Sequence, residues 1–159
     1  MKELNEMNYE IKPIPNEIAS SVRETLVSPQ YKSLIATVSI ADGYGPCRSC
    51  LQVFDQGTDH RIYFTYNSFE GRSDLPDPGP VFIHRNECTA FSGSGFPPDL
   101  LDLPVLYEAF GDQSRLISRT AMQKDAPNEQ IASIFADPAV RFINLRNAEA
   151  GCFIATVER

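Results

Sequence analysis

Tryptophan is absent from the 159 residues, so the bulk of any core has to come from ten Phe and six Tyr. No apolar run is long enough to cross a bilayer, which excludes a membrane-spanning helix. The opening Met1-Lys-Glu-Leu-Asn-Glu-Met-Asn8 lacks the apolar stretch of a signal peptide. A soluble, cytoplasmic protein is therefore expected, with no membrane partner. Positive charge is also scarce: the net charge is −7, which opposes nucleic acid, and Arg48, Arg85, Arg141 and Arg146 lie scattered. No nucleic-acid partner is expected. Cysteine numbers only four (Cys47, Cys50, Cys88 and Cys152), and without an export signal these read as reduced thiols rather than a disulfide framework. Repeats, charge blocks and low-complexity tracts are missing too. The chain thus divides only into a polar, flexible N-terminus (1–8) and one domain (9–159).

What is present is 42% apolar and 22% charged residues, ordinary for a globular protein. Tyr9–Ile14 alternates as a short strand. Asn16 is placed to cap a helix carrying Ile18, Val22 and Leu26 on one face, stopped by Ser28-Pro29. The run Leu34, Ile35, Val38, Ile40 reads as a buried strand, its β-branched content outweighing a helical alternative. Arg48–Phe54 and Arg61–Tyr66 flank Asp55–Asp59 as a hairpin. Residues 67–80, with Pro76, Pro78 and Pro80, read as a surface loop before a strand at Val81–Arg85. Leu103–Phe110 and Arg115–Met122 form a second hairpin. Asp125 or Asn128 can cap a helix carrying Ile131, Ile134 and Phe135, ended by Asp137-Pro138. The last two runs, Val140–Leu145 and Cys152–Val157, carry apolar residues of both parities, as strands covered on both faces do. They are expected at the centre of the sheet, with Gly151 supplying a positive φ at the turn. The expected class is α+β: a mainly antiparallel sheet of about six to eight strands with two helices on one side.

Three segments occur in a telling order: Gly45-Pro-Cys-Arg-Ser-Cys-Leu51, then Gly79-Pro-Val-Phe-Ile-His84 with Cys88 nearby, then Asn147-Ala-Glu-Ala-Gly-Cys-Phe153. With the overall length, this resembles a small bacterial family known as domain of unknown function 1203, over roughly residues 40–157. The resemblance implies one folded unit and carries no activity. It marks Arg48, His84, Asn147 and Cys152 as matched positions. Gly71–Asp77 departs from it, being less aromatic than the family's approach to the Gly-Pro strand.

Three chemistries compete for these residues. Cys47-x2-Cys50 and His84-x3-Cys88 have the spacing of zinc-ligand pairs. On a strand, however, positions 47 and 50 point to opposite faces, and Leu51 offers no glycine for a tight turn. No metal or other cofactor is therefore expected, and a zinc-stabilised module on Cys47, Cys50, His84 and Cys88 is kept as an alternative. A thiol nucleophile would need Cys88, Cys47 or Cys152 beside His84, with Glu87 or Asn147 orienting the imidazole. Buried cysteines are usually inert, which argues against it.

The leading expectation is a site for a small polar or anionic ligand on Arg48, His84, Arg85, Asn147 and Cys152, all at strand ends or turns. Its structural rival pairs Arg48 with Glu149 and leaves His84 on loop carbonyls. His60, the Asp55/Asp59 and Asp74/Asp77 pairs and the Phe/Tyr stripe read as solvated, turn-forming and core residues respectively. The function classes are thus a small-molecule-binding domain, with catalysis as an open extension, a zinc-stabilised module, or an interaction module that docks through an apolar patch. A homodimer is compatible with all three.

Overall fold

The computed structural model describes residues 9–43, 45–70, 78–93 and 95–159. The departure from the family pattern at Gly71–Asp77 and the Asp74/Asp77 pair lie outside them. Among the described residues, eight strands and two α-helices follow in the order β1 (Glu10–Lys12), α1 (Asn16–Thr25), β2 (Thr37–Ile40), β3 (His60–Asn67), β4 (Pro78–His84), β5 (Val105–Phe110), β6 (Leu116–Ala121), α2 (Pro127–Phe135), β7 (Phe142–Asn147) and β8 (Phe153–Glu158). The α+β class with a mainly antiparallel framework is what forms, but the strands divide into two sheets. One has five strands, ordered β1-β8-β7-β5-β6, and the other three, ordered β2-β3-β4.

The C-terminal hairpin sits where its two-sided apolar pattern places it. β7 is the middle strand of the larger sheet, paired with β8 on one side and β5 on the other. Ile143 and Leu145 join Tyr107, Ala109 and Val157 under Ile131 and Phe135 of α2, forming the first core. The opposite face of β7 carries Phe142, which stacks on Phe110 at 5.2 Å between ring centroids, with Phe69 completing the trio. Gly151 takes φ +84° at the turn between the two strands.

The second core lies elsewhere. Ala19 and Val22 of α1 pack with Ile62, Phe64, Val81 and Ile83 of the three-stranded sheet, together with Cys47, Cys50 and Phe54. The two helices therefore serve different cores and do not share one side of one sheet. Phe153 of β8 joins this second core and meets Tyr66 at 5.5 Å, so the two sheets touch there.

Neither helix is capped as its sequence suggests. Asn16 is the first helical residue of α1, and the carbonyl of Pro15 before it accepts the N–H groups of Ile18 and Ala19. Pro127 opens α2 at a position whose N–H has no helical partner anyway, and Asn128 instead accepts a hydrogen bond from the Tyr9 hydroxyl. The run at 34–40 is a strand in part but is not buried: Ile35 is 79% exposed and Val38 and Ile40 also face solvent. β2 is an edge strand, so its β-branched residues satisfy the ladder without covering a core. Among the described residues no helix is long and apolar enough to cross a membrane.

Candidate metal centre

The first strand of the expected 48–66 hairpin, Arg48–Phe54, does not form. After an isolated bridge from Pro46 to Val53, residues 48–50 form a tight turn. The Leu51 N–H donates to the Cys47 carbonyl at 2.8 Å, and the Cys47 N–H donates to the Gln52 carbonyl at 2.9 Å. Leu51 closes the turn with φ +60°. A left-handed conformation costs a non-glycine residue about 1–2 kcal/mol. Here the Leu51 side chain is 1% exposed in the first core, and burying it contributes a similar amount, about 1.5–3 kcal/mol. The absence of glycine therefore does not prevent the turn, and opposite strand parity no longer separates Cys47 from Cys50. Both expectations against a thiol pair are corrected by this turn.

Strand pairing supplies the rest. β4 runs alongside β3 and ends at His84, and the Arg48 N–H donates to the Phe82 carbonyl at 3.0 Å, which lays the cysteine turn across the end of β4. Cys88 follows four residues later. Arg23, in the last turn of α1, donates to the His84 carbonyl at 3.0 Å and to the Cys88 Sγ at 3.3 Å. Cys47, Cys50, His84 and Cys88 meet, with one ligand atom of each lying within 4.8 Å of the other three. Cys47 Sγ is 3.8 Å from Cys88 Sγ, and Cys50 Sγ is 3.5 Å from His84 Nδ1.

The surroundings favour negative charge on sulfur. Cys47 Sγ accepts backbone N–H groups from Ser49 at 3.4 Å and from His84 at 3.3 Å. Hydrogen bonds from the Cys50 and Cys88 thiols hold the Cys47 thiol far below its ordinary range, and the Cys47 contact in turn drives Cys50 up. His84 is pushed up to about 9, first by its bond to Cys47. These contacts favour the thiolate form of Cys47 and the charged form of His84 beside it. On its far side, His84 Nε2 meets Asp59 Oδ2 at 3.2 Å, and Phe54 lies 4.7 Å away, ring centroid to ring centroid. Asp59 keeps the turn-forming role read for it, accepting the Asp55 N–H at 2.8 Å, and adds the imidazole contact that sequence reasoning missed. No local signal pointed to it: Asp59 reaches His84 because β3 pairs with β4 so that Arg61 lies opposite His84. Cys88 also lines an open depression with Asn16 and Glu87.

The residues proposed for an anionic ligand are placed differently. Arg48 is buried, and its guanidinium donates to the carbonyls of Phe153 and Pro46, each at 2.7 Å. It clamps the cysteine turn to β8 and does not pair with Glu149. Arg85 is exposed. The Asn147 Oδ1 accepts the N–H groups of Glu149 and Ala150, both at 2.8 Å, and shapes the β7–β8 turn. Asn147 lines one depression and Cys152 a neighbouring one; neither is lined by Arg48, His84 or Arg85. The structure thus gathers thiols and an imidazole, oriented by Asp59 rather than by Glu87 or Asn147.

A family model described as a protein of unknown function matches residues 44–159, a span holding all four clustered residues. No curated protein and no solved structure matches the chain.

Proposed function

The chain belongs to the family of proteins of unknown function DUF1203, so no activity comes with membership, and from the cluster we propose that this is a zinc-stabilised module. Cys47, Cys50, His84 (through Nδ1) and Cys88 are the ligands. The observation that carries this is the spacing. A tetrahedral zinc with Zn–S of about 2.3 Å and Zn–N of about 2.0–2.1 Å has S···S edges of about 3.8 Å and S···N edges of about 3.5 Å. The Cys47–Cys88 and Cys50–His84 separations are 3.8 and 3.5 Å. The ligand types, thiolate and imidazole, suit zinc, and Asp59 behind His84 supplies the outer carboxylate that orients a ligating imidazole.

Four protein ligands close the tetrahedron, so the metal holds structure and leaves no position for a substrate. What it holds together is the cysteine turn, the end of β4 and the loop after it, at the second core. Such thiolate sites persist where thiols stay reduced, which supports a cytoplasmic setting. Elemental analysis of the purified chain tests the reading: one zinc per chain is expected, lost in Cys50→Ser and Cys88→Ser. Cobalt substitution should give intense visible d–d bands with thiolate-to-cobalt charge transfer. A chain grown with ample zinc that carries none, and gives no charge-transfer band with cobalt, overturns it.

A further inference from the structure

The three thiols of the cluster differ in exposure and in partners, and the differences set how it meets an oxidant. We propose that the metal centre is a thiol switch: hydrogen peroxide oxidises Cys88, Cys47 closes a disulfide on it, and the zinc is released. The switch rests on the metal centre proposed above.

Exposure selects the sulfur that reacts first. Cys47 is 0% and Cys50 7% exposed, whereas Cys88 is only partly buried and lines an open depression with Asn16, Glu87, Thr89 and Ala90. Arg23, in the last turn of α1, donates to Cys88 Sγ at 3.3 Å. A partly exposed sulfur beside a guanidinium is the setting in which thiolates are reactive. Cys152 is partly exposed as well, but its sulfur makes no hydrogen bond among the described residues. It is an internal comparison, with access to solvent and no donor on the sulfur.

Proximity selects the second sulfur. Cys47 Sγ stands 3.8 Å from Cys88 Sγ, while Cys50 Sγ is turned to His84 Nδ1 at 3.5 Å. The N–H groups of Ser49 and His84 on Cys47 Sγ favour the thiolate, which is the form that attacks. Shortening the contact to a bond of about 2.05 Å moves the loop that carries Cys88, and residues 85–93 hold no helix or strand to resist it.

The electrons balance. The Cys88 thiolate attacks one peroxide oxygen, the O–O bond breaks, and Cys88 sulfenic acid forms with loss of hydroxide. The Cys47 thiolate then attacks the Cys88 sulfur, the S–S bond forms, and a second hydroxide leaves. Two sulfurs give up two electrons and the peroxide takes both. Cys50 and His84 alone remain to the metal, where a structural zinc takes four ligands, and the ion departs to water.

The test treats the zinc-loaded full chain with hydrogen peroxide beside a chromophoric chelator, then alkylates the remaining thiols and maps them by mass spectrometry. One zinc should appear per Cys47–Cys88 disulfide, with Cys50 and Cys152 still free. Dimedone present during the reaction should trap the sulfenic acid on Cys88, which should react about tenfold faster than Cys152. Dithiothreitol should reopen the disulfide and restore zinc binding, and Cys152→Ser should release zinc as the parent does. Zinc kept while Cys152 is oxidised, a disulfide through Cys50 instead, or zinc lost with Cys88 over-oxidised and no disulfide would each overturn the switch. Zinc content measured before peroxide separates the two proposals. A chain without zinc refutes the metal centre and the switch with it, and a full complement that peroxide does not release refutes the switch alone.

Discussion

Buffered zinc makes the metal reading quantitative. A ligand that binds only the folded chain stabilises it by RT ln(1 + [L]/Kd), so each tenfold rise in free zinc above Kd adds about 1.4 kcal/mol. For a chain of 159 residues, 1 kcal/mol moves Tm by about 2–4 °C. One ion per four-residue cluster therefore predicts a slope of about 3–6 °C per decade of free zinc. The slope starts near Kd and continues without a plateau, because the unfolded chain has its two ligand pairs far apart. Two edges of the folded cluster, Cys47–Cys88 and Cys50–His84, already stand at 3.8 and 3.5 Å, and the others close from at most 4.8 Å. The assay is thermal unfolding by circular dichroism in a series of metal buffers at fixed pH, with Cys88→Ala measured beside the parent. A slope of zero in the parent refutes the reasoning. An equal slope in Cys88→Ala refutes the assignment of ligands, because zinc would then be held elsewhere.

Three further outcomes are expected. Asp59→Asn removes the charge behind His84 and should lower zinc affinity about 10- to 100-fold in a competition assay with a chromophoric chelator, while the zinc-saturated chain melts close to the parent. Arg48→Ala leaves the buried carbonyls of Pro46 and Phe153 without donors and should cost about 3 kcal/mol or more in urea unfolding. A cost below about 1 kcal/mol would show that the clamp between the cysteine turn and β8 is not structural. Gly111→Ala puts a methyl 2.9 Å from the Ala139 carbonyl oxygen and 2.9 Å from Ile117 Cδ1, and should destabilise by about 1–3 kcal/mol in the same measurement.

Much of the fold was legible from the chain alone because it rests on local rules. Two-sided apolar runs at 140–145 and 152–157 place β7 and β8 inside a sheet, Gly151 turns one into the other, and Pro138 ends the approach of α2. The same rules misjudged the 34–40 segment, whose β-branched residues form an edge strand in solvent. Propensity says that a segment extends and not what will cover it. They also misjudged Leu51, where burial in the core outweighs the cost of a left-handed backbone.

The spacings Cys47-x2-Cys50 and His84-x3-Cys88 were visible as two pairs, and nothing local says that two pairs make one cluster. That was decided by β3 and β4 pairing in register, by the Arg48 N–H reaching Phe82, and by Arg23 of α1 closing over Cys88. Arg48, an inviting ligand anchor in the sequence, was consumed in the same assembly. Side-chain type sets what chemistry is available. Which groups come within a few ångströms depends on contacts between residues some 40 positions apart, and only the packed sheets settle those.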